Sequence, residues 1–196
     1  MIKTKKNDLN VEIKSAITYL DNILKLKKEI LLAEKLILKT FKNKKKILIC
    51  GNGGSAAQAQ HLAAEFLIRL NSTVNRKPLP VIPLAMDSST MTACLNDYSS
   101  EIIFSRILDG IGQAGDLLIA ISTSGNSKNI ISAIKKANDK KINVLSILGN
   151  TGGKQKKYSN INIIIPGNNT ARIQEAQLFV GHFIFNQVEK EMFKKN

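Results

Sequence analysis

Two short segments rich in glycine and hydroxyl-bearing residues are the first candidates for chemistry in this sequence. Residues 51–56 (GNGGSA) follow the apolar run KILIC, and residues 122–127 (STSGNS) follow the run DLLIAI. A loop of this kind between a strand and a helix offers backbone N–H groups, hydroxyl donors and the positive end of a helix dipole. The second segment carries more hydroxyls than one helix N-cap requires, namely those of Ser122, Thr123, Ser124 and Ser127. Together the segments favour a cradle for the phosphate of a small metabolite, formed without a metal.

Other interpretations of the first segment stay open. A nucleotide-binding P-loop ends in Gly-Lys followed by Ser or Thr, and this segment has no such lysine. Gly51, Gly53 and Ala56 fit the relaxed dinucleotide-binding fingerprint of an oxidoreductase. That fingerprint expects an acidic residue about 20 positions later, at the end of the second strand, and Asp87 comes too late for it. A tight turn that needs glycine for steric reasons is the third possibility.

The two histidines of the chain are the next candidates. His61 stands four residues before Glu65, so on a helix the two side chains share one face. Such a pair is commonly an exposed helical contact. However, residues 62–64 and 66–67 are apolar, which favours a partly buried Glu65 that needs a polar partner. A partly buried glutamate near a histidine is how proteins build a base for proton transfer.

The elements that position these residues follow from the apolar pattern. Short apolar runs at 47–50, 81–85, 117–122, 144–148 and 161–165 alternate with segments of helical length at about 55–70, 88–113 and 127–140. The runs are continuously apolar, as in strands that are covered on both faces. Strand–helix alternation predicts a parallel sheet between two helical layers, the three-layer α/β/α class.

The ends of the chain are predicted to be helical. Residues 1–45 carry apolar residues at helical spacing, which indicates one or two helices, and residues 170–193 form a final long helix with His182 and Gln174 two turns apart. We expect one domain over 1–196, with an N-terminal helical segment (1–45) and an α/β core (46–196). The broad apolar face of the N-terminal segment should pack on the core or on another subunit of a homo-oligomer.

Composition and charge exclude several functional classes. The chain has 196 residues, 43% of them hydrophobic and 22% charged, which is typical of a globular protein. The net charge is +14, but only four of the 29 basic residues are arginine and aromatic residues make up 5%, so we expect a lysine-rich surface and no nucleic-acid partner. No apolar run approaches the roughly 18 residues of a membrane span. Cys50 and Cys94 form no CxxC motif, so we expect free thiols in a soluble cytoplasmic protein.

Four motifs in this order resemble a known family. GNGGSAAQAQHLAAEF, CLNDY, ISTSGNS and RIQEAQLFVGH are similar to the sugar isomerase (SIS) domain family and, within it, to the sedoheptulose 7-phosphate isomerases, also called phosphoheptose isomerases. The resemblance implies a five-stranded parallel sheet and a homotetramer with active sites between subunits. It also implies conversion of sedoheptulose 7-phosphate to D-glycero-D-manno-heptose 7-phosphate, on the route to the heptose of lipopolysaccharide.

The resemblance implies roles for individual residues, matched motif by motif. The implied acid/base pair is Glu65 and His182, and Glu65, Arg69 and Gln174 are implied near the substrate. The implied zinc ligands are His61, Glu65, Gln174 and His182. Phosphate contacts are implied for Ser55, Ser122, Thr123, Ser124 and Ser127, and sugar contacts for Asn52, Gly53, Gly54, Asn96 and Asp97.

Two departures and one spacing qualify this assignment. Gln177 stands where relatives commonly have His, and the segment 67–76 lacks the usual glycine before its arginine. Gln174 and His182 are eight residues apart, about 12 Å along a helix, so both reach one metal only if their side chains lean together or two subunits contribute. The alternative function is a non-catalytic SIS module that senses a sugar phosphate or binds a replication-initiation protein. Such modules lack the acid/base pair, so the presence of Glu65 and His182 favours the enzyme.

Overall fold

The structure, a computed structural model, describes residues 8–194. Residues 1–7 of the predicted N-terminal segment and the last two residues lie outside the described part. The strands are β1 Ile47–Cys50, β2 Val81–Pro83, β3 Leu117–Ser122, β4 Asn143–Gly149 and β5 Ile161–Ile165. The helices are α1 Leu9–Ile23, α2 Lys27–Lys42, α3 Gly54–Leu67, α4 Ser88–Asp97, α5 Ile103–Ile111, α6 Lys128–Asp139 and α7 Thr170–Met192.

All five strands form one parallel sheet in the order β2-β1-β3-β4-β5. The prediction of five parallel strands is therefore confirmed, with unchanged limits for β1, β3 and β5. The two edge strands, β2 and β5, are only partly buried, because each has a neighbouring strand on one side alone. Strand β2 ends at Pro83, two residues earlier than predicted. Proline lacks the N–H group that a sheet ladder needs, and β2 occupies an edge of the sheet, where a proline is tolerated.

Two layers of helices cover the sheet. One face of the sheet, which includes Ile47, Ile119 and Ile147, packs against α1, α2, α3 and α7. The other face, which includes Leu48 and Ala120, packs against α4, α5 and α6. The three-layer α/β/α class is thereby confirmed. Cys50 lies in this second cluster as a free thiol, and burial raises its pKa to about 12, so it is an apolar packing residue.

The predicted helical segment 88–113 consists of two helices. The Asp87 carboxylate caps α4 by accepting the backbone N–H of Thr90 at 2.8 Å. Helix α4 ends at Asp97, and residues 98–102 form a turn before α5. This turn contains two serines, whose side chains compete with the helical hydrogen bonds of the backbone.

Helices α1 and α2 pack against α7 of the same chain, yet they leave apolar surface uncovered. The Tyr19 hydroxyl accepts the N–H groups of Asn168 and Asn169, which ties α1 to the start of α7. Even so, Leu9, Val11 and Leu24 are largely exposed. Among residues 8–194, no helix is both long and apolar enough to cross a membrane.

Candidate active site

The two predicted anion-binding loops lie side by side in the structure. They follow β1 and β3, which are neighbours in the sheet, and their helices α3 and α6 leave toward opposite faces. Ligands of open parallel sheets bind at this kind of position, where the strand order reverses. The side chains of the N-cap residues accept no first-turn N–H group, so those N–H groups that no other atom accepts, such as the ones of Gly54 and Lys128, are available to an anion.

The first loop is shaped by its glycines. A Cβ atom on Gly51 would lie 2.5 Å from the carbonyl oxygen of Ser55, so only glycine allows this approach of the loop to α3. Gly53 has a φ of +53°, a conformation that glycine adopts without strain. Between the loops, the carboxamides of Asn52 and Asn129 exchange two hydrogen bonds of 2.9 Å. Asn52 was predicted to be a site residue, whereas Asn129 was not, because its only signal in the sequence is its place in the first turn after the second loop.

The second loop is braced from within. The buried Ser122 hydroxyl accepts the N–H of Gly125 at 3.0 Å, and the Asn126 carboxamide accepts the N–H of Lys154 at 3.0 Å. Ser122 therefore holds the loop in shape in addition to its predicted role toward phosphate. The remaining predicted hydroxyls are nearer to solvent: Ser124 is exposed, and Thr123 and Ser127 are half-buried.

Both histidines and Glu65 meet in one cluster. The Nε2 atoms of His61 and His182 are 2.8 Å apart, and His61 Nε2 is 3.4 Å from Glu65 Oε1. One ligand atom from each of the three residues lies within 4.8 Å of the other two. The Glu65 side chain is 18% exposed and that of His61 is 46% exposed, so the cluster is open on the histidine side. The predicted acid/base pair, Glu65 and His182, and one further predicted zinc ligand, His61, are thus brought together within a single chain.

Close parallel packing of α3 and α7 creates this cluster. Gly54 contacts Gln174, Leu62 contacts Gly181 and the Phe66 ring stacks on Phe185 at 3.8 Å, so contacts advance in the same direction along both helices. A Cβ atom on Gly181 would lie 2.8 Å from the buried Leu62 side chain. The absence of a side chain at Gly181, next to His182, therefore lets the two helices approach closely enough for the histidines to touch.

The environment of the cluster suits a divalent cation. Burial, more than the neighbouring His61, lowers the pKa of His182 from its usual 6.5, and the Glu65 carboxylate offsets part of this shift. A neutral imidazole has a free lone pair, which a metal or a proton can use. Two imidazole nitrogens and one carboxylate are a typical donor set for Zn²⁺, and two nitrogens bound to one tetrahedral zinc lie about 3.3 Å apart. Opening the histidine pair by about half an ångström would satisfy that geometry.

Gln174 does not join the cluster through the contacts seen in one chain. The Gln174 carboxamide lies against Gly54 in the first turn of α3. The backbone carbonyl of Gln174 accepts a hydrogen bond of 2.6 Å from the Gln58 carboxamide. His61 comes about 10 Å farther along α3. The structure thus places Gln174 beside the first loop, as expected of a substrate contact, while its predicted role as a zinc ligand stays a prediction.

Three other predicted residues lie apart from the cluster. The predicted helix over about 55–70 would place Arg69 one turn after Glu65. In the structure α3 ends at Leu67, and Arg69 lies in the exposed connection beyond it. Asn96 and Asp97 end α4 in the opposite helical layer, where the Asn96 carboxamide donates to the Asp97 carboxylate at 2.8 Å. Within one chain, none of the hydrogen bonds of the described residues joins these three to the two loops.

Gln177, where the family resemblance led us to expect histidine, has a structural role. Its side chain is buried, and its Nε2 donates to the carbonyl of Ile147 at 3.0 Å and more weakly to that of Ser122 at 3.4 Å. The residue therefore supports the ends of β3 and β4 beneath the second loop.

An open cleft and an apolar groove adjoin the cluster. The cleft, of about 540 Å³, lies between residues 70–72 and α7, where Phe179, His182 and Phe183 line it. The apolar groove, of about 330 Å³, is also lined by Phe179 and Phe183. Its other side is formed by Leu24, Leu31 and adjacent residues of the N-terminal helical segment. One side of the histidine cluster thus faces exposed apolar surface.

The fold and the paired loops are those of a sugar isomerase domain, and residues 13–149 match the family model described as SIS domain. A phosphoheptose isomerase of Clostridium acetobutylicum is 43% identical over 191 residues, with 96% of both chains covered. The solved phosphoheptose isomerase structures from Neisseria gonorrhoeae and Francisella tularensis superpose with TM-scores of 0.87 and 0.88 at 35% and 32% identity. They cover 93% of this chain and 97% and 96% of theirs.

The chain belongs to the phosphoheptose isomerase family. The resemblance on which the sequence analysis relied is confirmed over nearly the whole chain, and it favours the enzyme over the non-catalytic module.

Proposed function

We propose that this protein interconverts sedoheptulose 7-phosphate and D-glycero-D-manno-heptose 7-phosphate. The observation that carries the proposal is the cluster of His61, Glu65 and His182, which lies along α3 from the loop where that helix begins. A phosphate bound at the two loops would direct the sugar along the helix. His61 is about 10 Å from the first residue of α3, a separation that an extended seven-carbon sugar can span.

The reaction moves a proton between C1 and C2 of the sugar through an enediol or enediolate. Glu65 is the base that faces the carbon, because its carboxylate is held within the cluster and is mostly shielded from water. His182 is the acid at the sugar oxygens. Burial lowers its pKa, which favours the neutral imidazole, whose ring N–H is the group that donates to the sugar oxygen.

Zinc is part of the proposal. His61, Glu65 and His182 would hold the ion, and Gln174 would be the fourth ligand if its side chain leans toward His182 or if a second subunit contributes it. When bound, zinc supplies a Lewis acid at the sugar oxygens. Glu65 and His182 would then contact both the ion and the substrate, and either side chain could move a proton only while it is not bound to the ion.

We further propose a homo-oligomer, as a tetramer, in which neighbouring subunits complete the site. The support is the apolar groove beside His182 together with the exposed apolar face of α1. Surface of this kind commonly marks an interface. Arg69, Asn96 and Asp97, which one chain does not bring to the cluster, would reach the substrate across that interface. The cytoplasmic location and the absence of a nucleic-acid partner stay predictions, and the two free thiols fit a reducing compartment.

The direct test is incubation of the protein with sedoheptulose 7-phosphate, with the products identified by NMR or mass spectrometry. We expect the heptose 7-phosphate at equilibrium with its ketose, and exchange of the C1 or C2 hydrogen with solvent deuterium. Unphosphorylated sedoheptulose is the matched control, because it keeps the reacting carbons but cannot bind the loops. Absence of any isomerisation of the phosphorylated sugar would refute the proposal, and equal rates with both sugars would refute the phosphate cradle.

A further inference from the structure

A fully buried ion pair lies next to the histidine cluster and takes no direct part in the proposed chemistry. Arg76 Nε is 2.5 Å from Glu189 Oε1, and the two side chains are 0% and 1% exposed. Arg76 belongs to the connection after α3, and Glu189 lies near the end of α7. Removing both charges from water costs free energy unless nearly all their hydrogen-bonding groups find partners. The other hydrogen bonds of Arg76 and Glu189 therefore indicate what the ion pair holds in place.

Two of the three other bonds of Arg76 end on α3, which carries part of the cluster, and the third goes to the backbone carbonyl of the neighbouring Lys77 at 3.1 Å. Arg76 donates from its two terminal nitrogens to the backbone carbonyls of Glu65 and Phe66, both at 2.8 Å. The Glu189 carboxylate accepts the N–H of Asn71 at 3.1 Å and that of Leu70 at 3.4 Å. The guanidinium therefore caps the last turn of α3, and the carboxylate fastens the following connection to α7.

The pair spans the two helices just beyond the cluster. One of its acceptors is the carbonyl of Glu65 itself, and Glu189 comes seven residues after His182, two turns farther along the same face of α7. Arg76 is hydrogen-bonded to the end of α3, and Glu189 belongs to α7. The ion pair therefore constrains the distance between the end of α3 and the part of α7 around Glu189. A planar guanidinium with four directed bonds permits little variation in that distance.

We infer that Arg76 and Glu189 are positioning residues for the proposed acid/base pair: their ion pair holds the end of α3 against α7 so that Glu65 and His182 meet. Neither residue touches the substrate in this arrangement. The same bonds hold residues 70–71, which form one wall of the cleft beside His182. The expected effect on turnover rests on the proposed function, whereas the expected effect on the histidines does not.

The test uses variants that separate positioning from stability. Arg76→Lys keeps the charge but cannot make the bonds to both carbonyls and to Glu189 at once. The double variant Arg76→Met with Glu189→Met removes both charges and keeps apolar bulk, a replacement that buried ion pairs often tolerate. The control is Lys46→Met, which breaks the ion pair of Lys46 with the buried Asp116 (2.6 Å) at the opposite, amino-terminal edge of the sheet.

Two measurements are made on the full-length protein. The first is kcat and KM for sedoheptulose 7-phosphate. The second is the imidazole ¹⁵N NMR spectrum of protein treated with EDTA, which reports the tautomers and hydrogen bonds of the histidines. The chain has only two histidines, so all the imidazole nitrogen signals come from His61 and His182 of the cluster.

We expect both positioning variants to lower kcat by about tenfold to a hundredfold, since a misplacement of about 1 Å can cost that much. KM should change by no more than about threefold, and the His61 and His182 signals should shift. Lys46→Met should lose thermal stability with kcat and both imidazole signals unchanged. The inference is overturned if the double variant folds and keeps wild-type kcat and imidazole signals, or if Lys46→Met lowers kcat as much as Arg76→Lys does. If wild-type protein does not isomerise the sugar, the proposed function fails and the NMR comparison alone decides the inference.

Discussion

At the scale of single residues, Glu65 and the two histidines differ in their surroundings, which supports different proposed roles. Glu65 is the more shielded of the His61–Glu65 pair, which suits a base, while His61 is half-exposed and contacts both other members. Ser122 shows that a hydroxyl in a predicted phosphate loop can also serve the loop itself, since it accepts the N–H of Gly125. Residue types therefore indicated the possible chemistry. The contacts separate residues that are free to bind substrate from residues, such as Ser122, that also stabilise the loop.

Replacing Glu65 by Gln should nearly abolish turnover and leave KM within about tenfold of the wild-type value. The carboxamide keeps the shape of the side chain but cannot take a proton, and loss of an interaction made in the transition state lowers kcat rather than binding. Steady-state kinetics with sedoheptulose 7-phosphate measure the effect.

Glu101→Gln is the matched control for that substitution. Glu101 is an exposed glutamate paired with Lys128 at 2.7 Å, and surface pairs of this kind contribute little, so its kinetics should equal those of the wild type. Wild-type turnover by the Glu65→Gln variant would exclude Glu65 as the base.

At the scale of elements, the cluster depends on how closely α3 and α7 pack. Both helices cover the same face of the sheet, and Phe66 and Phe185 stack between them. Gly181 is the point of closest approach near the histidines. The site is thus a property of the helix pair, and any side chain that separates the pair should disturb it.

Gly181→Ala should destabilise the protein by about 1–3 kcal/mol, the usual cost of overfilling a packed contact. The added methyl group would lie 2.8 Å from Leu62, which is buried and has little room to move away. We also expect zinc affinity to fall by about tenfold or more, since displacement of ligand-bearing elements has effects of that size. Thermal unfolding and zinc titration calorimetry of metal-free protein measure the two effects.

Gly110→Ala provides the control. Gly110 lies in α5, where a Cβ atom would meet nothing within 4 Å, and the same substitution in an open helical position stabilises by about 0.4–1 kcal/mol. A Gly181→Ala variant that is as stable as Gly110→Ala and binds zinc as tightly as wild type would contradict the packing argument.

At the scale of the whole molecule, the distribution of apolar surface points to assembly. The groove between the N-terminal helices and α7 contains Leu24, which is 79% exposed, and continues toward His182. Leaving this much apolar side chain in water is unfavourable, and burial against another subunit would remove the cost. The same contact would close one side of the cleft beside the acid/base pair.

The double variant Leu24→Glu with Leu31→Glu should dissociate the oligomer. Both side chains are exposed in the chain, so the charges should not disturb its own fold, whereas a charge buried in an interface is strongly unfavourable. Light scattering should give a mass near four times 21.6 kDa for the wild type and a smaller mass for the variant.

The control for this experiment is Tyr158→Glu, an exposed aromatic residue beside Lys135 of α6 in the opposite helical layer, away from the apolar groove and from Asn96 and Asp97. Its mass should match the wild type. A wild-type protein that is monomeric at assay concentration, and still active, would defeat the proposal that subunits share the site.

Much of the fold could be predicted from the sequence because the signals are local. The apolar runs at Ile47–Cys50 and Leu117–Ser122 became strands with the same limits, since a strand covered on both faces has few polar positions. The run Ile161–Ile165 also became a strand with the predicted limits, although it is a partly exposed edge strand and includes Asn162. The loops after β1 and β3 were placed correctly for the same reason. The apolar pattern did not predict the turn at residues 98–102, which divides the predicted helix 88–113 into α4 and α5. The local preference of this segment for a turn is too weak to stand out from the helical pattern around it.

The partners of the candidate site depend on tertiary structure. Spacing along one helix predicted the His61–Glu65 pair, because four residues return to the same helical face. Without the family resemblance, no spacing would have connected His182 or Glu189 to that pair, since both lie more than 100 residues away and meet it only through the packing of α7 on α3. The sequence by itself determined which side chains are available for phosphate binding and proton transfer. The tertiary structure alone decided which of them touch, because contact between distant residues depends on how closely whole helices pack.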